Sequence, residues 1–208
     1  MLFSLFEAPA LSPDAHASLR QKILEEALGI VAREGVQGIT MRALAQKLGY
    51  SPATIYLYFR NKEDLFQQIA RHGTERLMAL TDALVDMADA AAARDAFART
   101  MIDFAFANPH LYEIMNSLDL TPYLADPTLE APGRRLVDRY RDLYARGVRD
   151  GSLRSPNPEH EVIVDWSLVH GFISLVLSGH YPPPRLPDAS VPELEELVLD
   201  AIRRRTAI

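Results

Sequence analysis

The stretch Thr40-Met41-Arg42-Ala43-Leu44-Ala45-Gln46-Lys47-Leu48-Gly49-Tyr50-Ser51-Pro52-Ala53-Thr54-Ile55-Tyr56-Leu57-Tyr58-Phe59-Arg60-Asn61-Lys62 decides the fold. Thr40 stands where a hydroxyl caps a short helix carrying Leu44, Ala45 and Leu48, and Gly49 ends that helix. Ser51-Pro52 opens a second one, with serine at the N-cap and proline in the first turn, where its missing N–H costs nothing. Asn61 caps a third, whose first turn sets Glu63 and Asp64 against the positive end of the helix dipole. Upstream, Leu19, Ile23, Leu24, Ala27, Ile30 and Val31 recur at helical spacing until Gly35 and Gly38 stop the run. Two short helices joined by a glycine-containing turn, with a longer helix before them, make a helix-turn-helix candidate.

Working outward, the third helix continues through Leu65, Phe66 and Ile69 past Leu84. Further helices are expected near 93–107, 109–118, 128–149, 158–179 and 191–205. Asn108-Pro109 and Asn157-Pro158 repeat the cap-then-proline pattern, and Ser190-Val191-Pro192-Glu193 has the form of a capping box. Tyr181-Pro182-Pro183-Pro184 reads as a rigid connector. With no segment of β alternation and no internal repeat, the fold class is all-α. Its expected divisions are an N-terminal arm (1–15), a three-helix helix-turn-helix domain (16–63) and a larger helical domain (64–208).

The balance of 48% apolar and 24% charged residues is that of a globular protein. The net charge of −6 hides an asymmetry: residues 1–62 carry seven Lys/Arg against five Asp/Glu, and the remainder fifteen against twenty-three. The positive excess therefore falls on the helix-turn-helix segment. Absence of cysteine excludes disulfides and thiolate chemistry and fits a reducing cytoplasm. The start, Met1 to Pro9, lacks a basic region and is interrupted by Glu7, so it is not read as a signal peptide. The apolar run Val162–Ser178 contains Asp165 and His170, and is read as a buried helix short of a bilayer span. No membrane partner is expected.

From Gly38 to Leu65 the sequence closely resembles the DNA-binding domain of TetR-family transcriptional regulators, and the likeness is dense over about residues 19–68. Helix lengths, the glycine turn, the Tyr56-x-Tyr58-Phe59 end and Asn61-Lys62-Glu63 all agree. The resemblance implies a double-stranded DNA operator, palindromic for a dimeric reader. Ala45, Leu48, Ile55 and Phe59 fall to packing. Thr40, Arg42, Ser51, Pro52, Ala53, Thr54, Tyr56, Tyr58 and Lys62 fall to DNA: hydroxyls and cations for phosphate, small side chains for close approach to the major groove. Where the family often has histidine before the final phenylalanine, this chain has Tyr58, so a neutral contact is expected there. No arginine lies in the recognition helix, so base reading leans on Thr54, on apolar contact with thymine methyls, and on Arg42.

The family pattern makes the region after about residue 65 a ligand-binding and dimerisation domain. Trp166-Ser167-Leu168-Val169-His170-Gly171 resembles the Trp…His-Gly segment of one C-terminal subgroup. Periodicity adds a reading of its own. Trp166, His170, Ile173 and Leu177 share one helical face, expected to point inward; Ser167, Gly171, Ser174 and Ser178 form a second stripe, expected to meet a partner copy. Leu194, Leu197, Val198 and Ala201 complete that homodimer interface from the last helix. Met101, Phe104, Tyr112, Met115, Tyr140, Tyr144, Trp166 and His170 are candidate walls for an unidentified, largely apolar small-molecule effector, although ordinary core packing accounts for such residues as well.

No cofactor and no metal are expected. His160, His170 and His180 repeat every ten residues, about 80° apart around a helix. The acidic and basic residues Arg134, Arg135, Asp138, Arg139, Arg141 and Asp142 read as a solvated, ion-paired face. The leading expectation is a ligand-released repressor, not an enzyme; a DNA binder without a small-molecule switch, architectural or partner-controlled, is the alternative.

Overall fold

The computed structural model describes residues 13–117, 133–181 and 190–206, and among these it contains nine α-helices and no strand. The chain divides into two compact units, up to Ile69 and from Ala70 onward.

The first unit holds α1 (Pro13–Glu34), a 3-10 turn (Val36–Gly38), α2 (Met41–Leu48), α3 (Pro52–Tyr56) and the beginning of α4 (Lys62–Val85). Its termini are closed as the residue types dictate. The Thr40 hydroxyl accepts from the Ala43 N–H at 3.0 Å, Ser51 from Thr54 N–H at 3.2 Å, and the Asn61 side chain from Asp64 N–H at 2.8 Å. Gly49 takes φ 73°, the left-handed conformation that ends α2. Ile23, Ala27 and Ile30 of α1, Ile39, Leu44 of α2, Ile55 of α3, Phe59, and Leu65 and Ile69 of α4 are completely buried. Each large apolar side chain so buried contributes roughly 1.5–3 kcal/mol, and together they hold three short elements that have little stability alone. Gly38 permits the turn: a Cβ there would lie 2.5 Å from Cβ of Glu34. Helix α1 starts at Pro13, so residues 13–15 of the expected arm are helical, while residues 1–12 lie outside the described part.

The second unit holds the rest of α4 with α5 (Ala90–Ala107), α6 (Pro109–Ser117), α7 (Arg134–Asp150), α8 (Pro158–Leu177) and α9 (Val191–Thr206). Helix α5 is central and packs against α6, α7, α8 and α9. It begins three residues earlier than its apolar period suggests, because the Asp89 carboxylate accepts from the N–H groups of Ala91 and Ala92. Helix α7 starts at Arg134 behind Gly133 at φ 84°; residues 128–132 of the expected helix, and Pro182–Pro184 of the expected connector, are outside the described part. Helix α8 stops at Leu177 rather than 179, with Gly179 at φ 74°, and α9 runs one residue further than expected, to Thr206. Gly147 brings α7 close to its neighbours: a Cβ there would meet Leu153 Cδ1 at 2.6 Å and Ala90 Cβ at 3.1 Å.

Two expectations are revised. The α7 charge face is solvated only in part: Arg134 and Arg141 pair with Asp138, and Arg141 also with Asp142, but Arg139 turns onto α4. Its guanidinium donates to Met78 O at 2.9 Å and pairs with Asp82 at 2.7 Å, and one heptad later Arg146 donates to Val85 O at 2.5 Å. Helix α8, at 20 residues, is long and apolar enough to cross a membrane by length and composition, and the single chain buries only one side of it. That side carries Val162, Asp165, Val169, Phe172 and Ile173, while Ile163, Val164, Leu175 and Leu177 are exposed. Leu177, 39% exposed at the last position of the helix, thus leaves the inward face assigned to it.

Candidate functional site

The α2–α3 pair presents a face that the core leaves alone. Ile55 and Phe59, four residues apart, are fully buried, and this turns Pro52, Ala53, Tyr56 and Leu57 outward. Thr40, Arg42 and Ser51 are exposed and Thr54 is half-buried. The Ser51 and Thr54 hydroxyls lie 3.0 Å apart, so capping of α3 and placement of Thr54 are coupled. Tyr56 is 51% exposed. The Tyr58 hydroxyl is 2.8 Å from Nδ1 of His16. Lys62 is less free than its charge suggests. Its Nζ lies 3.4 Å from the Val36 carbonyl and 5.1 Å over the Phe66 ring. The nine residues anticipated for DNA therefore lie on or beside one small three-helix unit. Sequence reading passed over four neighbours: Leu57, 79% exposed, Tyr50, Arg60 and His16. Leu57 was detectable, because the inward Ile55–Phe59 spacing leaves position 57 facing solvent.

In the second unit the eight anticipated ligand-wall residues separate into groups. Met101, Phe104 and Tyr112 are buried on α5 and α6. Met115 packs where Gly73 has no side chain; a Cβ on Gly73 would be 2.5 Å from its sulfur. The Tyr112 hydroxyl bonds His170 Nδ1, and Trp166 lies against the same imidazole with ring centroids 4.8 Å apart. Burial holds His170 near pKa 4, so the ring is neutral at pH 7. Its Nε2 is buried and has no hydrogen-bond partner. Nε2 is therefore an open hydrogen-bonding position, a donor when the Tyr112 O–H donates to Nδ1 and an acceptor when Nδ1–H donates to the Tyr112 oxygen.

Tyr140 and Tyr144 belong to a different centre. Both hydroxyls donate to Asp165 Oδ2, Tyr140 at 3.0 Å. Asp165 is 1% exposed. Burial raises its carboxyl pKa, opposed by those two hydroxyls and by the Arg94 and Arg205 charges. Arg94, buried on α5, bonds the Thr206 hydroxyl and pairs with Asp95 at 2.7 Å. Asp95 also receives Arg203 at 2.5 Å, and Arg205 pairs with Glu161. This network fastens the end of α9 to α5 and α8. Among the described residues no cluster of three potential metal ligands occurs.

Outside this interior, α8 and α9 border an apolar groove of about 370 Å³ lined by Ser167, Gly171, Leu194, Leu197, Val198 and Ala201 with Leu168, Phe172, Leu175 and Tyr181. Ser167, Gly171, Ser174 and Ser178 are exposed, and a Cβ on Gly171 would meet nothing within 4 Å.

Both units match known sequence families. Residues 23–69 match the bacterial regulatory proteins of the tetR family, and residues 94–200, just over half the chain, match the tetracyclin repressor-like C-terminal domain. The chain belongs to the TetR family of transcriptional regulators. It is 38% identical over 197 residues to an HTH-type transcriptional repressor of Mycobacterium tuberculosis, covering 93% of this chain and 96% of that protein. It is 27% identical over 179 residues to the repressor AcnR of Corynebacterium diphtheriae, covering 82% and 87%. Among solved structures, the TetR-family regulator PfmR of Thermus thermophilus shares the fold at a TM-score of 0.62 with 24% identity, over 88% of this chain and 97% of that one. RolR, solved with resorcinol, does so at 0.69 with 17% identity, over 95% and 91%.

Membership of the TetR family makes this chain a DNA-binding regulator with an N-terminal helix-turn-helix and a helical C-terminal domain, not an enzyme. The Trp166…His170-Gly171 segment lies inside the matched C-terminal region.

Proposed function

We propose that this TetR-family chain is a homodimeric, cytoplasmic repressor that reads a palindromic operator and leaves it when a small, largely apolar effector occupies the C-terminal unit. The observation that carries the reading is the α3 surface: Ile55 is fully buried while Pro52, Ala53, Tyr56 and Leu57 are uncovered. A helix of five residues has no stability of its own, so leaving its apolar outer residues in solvent is explained by use on DNA. Thr40, Arg42, Ser51, Tyr58 and Lys62 serve the phosphates, and Thr54 with the small Pro52 and Ala53 approaches base edges.

Dimerisation through α8 and α9 is supported by the uncovered groove and by the open space beside Gly171. Two recognition helices then enter successive major grooves roughly 34–36 Å apart. Release follows if an effector favours a different separation, a population shift between two states. The buried, unpartnered Nε2 of His170 supports the effector's polar requirement, one hydrogen-bonding group on an apolar body. Selection from a random-sequence duplex library by wild type and by Thr54→Ala/Tyr56→Ala tests the reading. Wild type enriches a palindrome that the double variant does not; equal enrichment by both removes α3 as the reader. A panel of aromatic and aliphatic effectors that leaves operator binding unchanged would favour the switchless alternative.

A further inference from the structure

His16 sits in the first turns of α1, is exposed, and belongs to none of the reading helices. Its Nδ1 is nevertheless 2.8 Å from the Tyr58 hydroxyl, with ring centroids 5.7 Å apart and planes at 43°. Tyr58 lies in the α3–α4 link, two residues after Tyr56. The bland reading is a surface hydrogen bond that steadies the start of α1, worth little because both partners are wet. Proton bookkeeping gives the pair a second capability.

When the imidazole is neutral and Nδ1 accepts, the Tyr58 O–H is committed to His16 and offers a phosphate only its lone pairs, which repel one another. When the ring is protonated, both nitrogens donate. Nδ1–H then donates to the Tyr58 oxygen, and the phenolic hydrogen is free to point at a phosphate oxygen. The neutral ring reaches this arrangement only as its Nδ1–H tautomer, and then without the charge. We infer that His16 and Tyr58 form a protonation-gated phosphate contact that tightens DNA binding as pH falls.

Histidine is the side chain whose charge ordinarily changes between pH 5 and 8. The charged groups on the elements around the pair include Arg20 on α1, Arg60 in the link, and Lys62, the exposed Glu63 and Asp64 at the start of α4. Arg20, one turn along α1, holds its guanidinium 5.2 Å over the Phe59 ring. Arg60 in the link is exposed, and the nearby acid, Asp64, is occupied by the Arg60 backbone N–H at 2.9 Å and by its guanidinium at 3.6 Å. His16 thus restores to the link a titratable contact that Tyr58 alone lacks.

The inference rests on the DNA-binding reading, and the test separates the two. Binding of the full chain to a fluorescent duplex carrying the selected palindrome is followed by anisotropy at pH 5.5 to 8.0, each over a salt series. Wild type is expected to bind roughly five- to ten-fold tighter at the acidic end, with its log K against log salt slope steeper by up to about 0.9 per chain because the imidazolium adds a positive charge beside the phosphate. His16→Asn loses both the rise and the steepening. His16→Lys, with a fixed charge, holds the steep slope at pH 8.0. Thermal melts of each variant certify folding. If wild type and His16→Asn follow the same pH curve, the gate is refuted while DNA reading stands. If wild type binds no duplex at any pH, both fall.

Discussion

The two units keep their polar groups in opposite places. In the first, hydroxyls and cations lie at helix starts and on the surface, and the core is purely apolar: Ile23, Ile39, Leu44, Ile55, Phe59 and Leu65. In the second, charged and hydroxyl groups are taken inside, with Arg94, Asp165 and Thr206 buried among aromatic rings. A reading surface needs polar groups that meet water in one state and phosphate in the other. A regulatory domain needs an interior whose arrangement is specific, and a buried network that ties α5, α8 and α9 together supplies that specificity, although Asp165 Oδ1 has no hydrogen-bond partner in it and breaking it is expensive.

The contrast can be broken experimentally, most sharply at Asp165. Asp165→Ala strands two buried tyrosine hydroxyls and removes one of the carboxylates beside Arg94 and Arg205, which keep Asp95 and Glu161; denaturant unfolding should show a loss of about 3 kcal/mol. A loss below about 1 kcal/mol would mean the knot is ornamental. Next comes Gly147→Ala, which drives a methyl into Leu153 and Ala90 and should cost about 2 kcal/mol, read from the shift in urea midpoint.

In the first unit the effects are smaller and local. Ser51→Ala removes the α3 cap and should cost about 1 kcal/mol; because Thr54 loses its hydroxyl neighbour as well, operator affinity should fall more than stability does. A further effect, read against pH rather than by truncation, is at His170. Its folded pKa of about 4 lies below the ordinary 6.5, so the unfolded chain takes the proton first. Its contribution is present above pH 6.5 and drains away as pH falls toward 4. Wild-type stability measured at pH 7, 6 and 5 should therefore decline more steeply than that of His170→Phe, and parallel slopes would remove the buried neutral imidazole from the account.

The same contrast explains what was legible in the sequence. Thr40, Gly49, Ser51-Pro52 and Asn61 act within four residues of themselves, so the helix-turn-helix could be placed to the residue. Asn157-Pro158 and Ser190…Glu193 were legible for the same reason. Arg94 meets Thr206 across 112 positions, and Tyr140 and Tyr144 meet Asp165 across 25 and 21. No local pattern announces such pairs. In the sequence Asp165 is only a charge interrupting an apolar run, and Tyr140 and Tyr144 fall with the ligand wall because a buried tyrosine's partner cannot be read from periodicity. The DNA face has its own blind spot: His16 and Tyr58 are 42 residues apart.

In the proposed repressor two copies of α3 read DNA side by side. Hydroxyl-radical footprinting of the selected palindrome tests that arrangement directly. Two protected patches are expected on one face of the duplex, about one helical turn apart, both lost with Thr54→Ala/Tyr56→Ala. A single patch, or two that persist in the double variant, would contradict it.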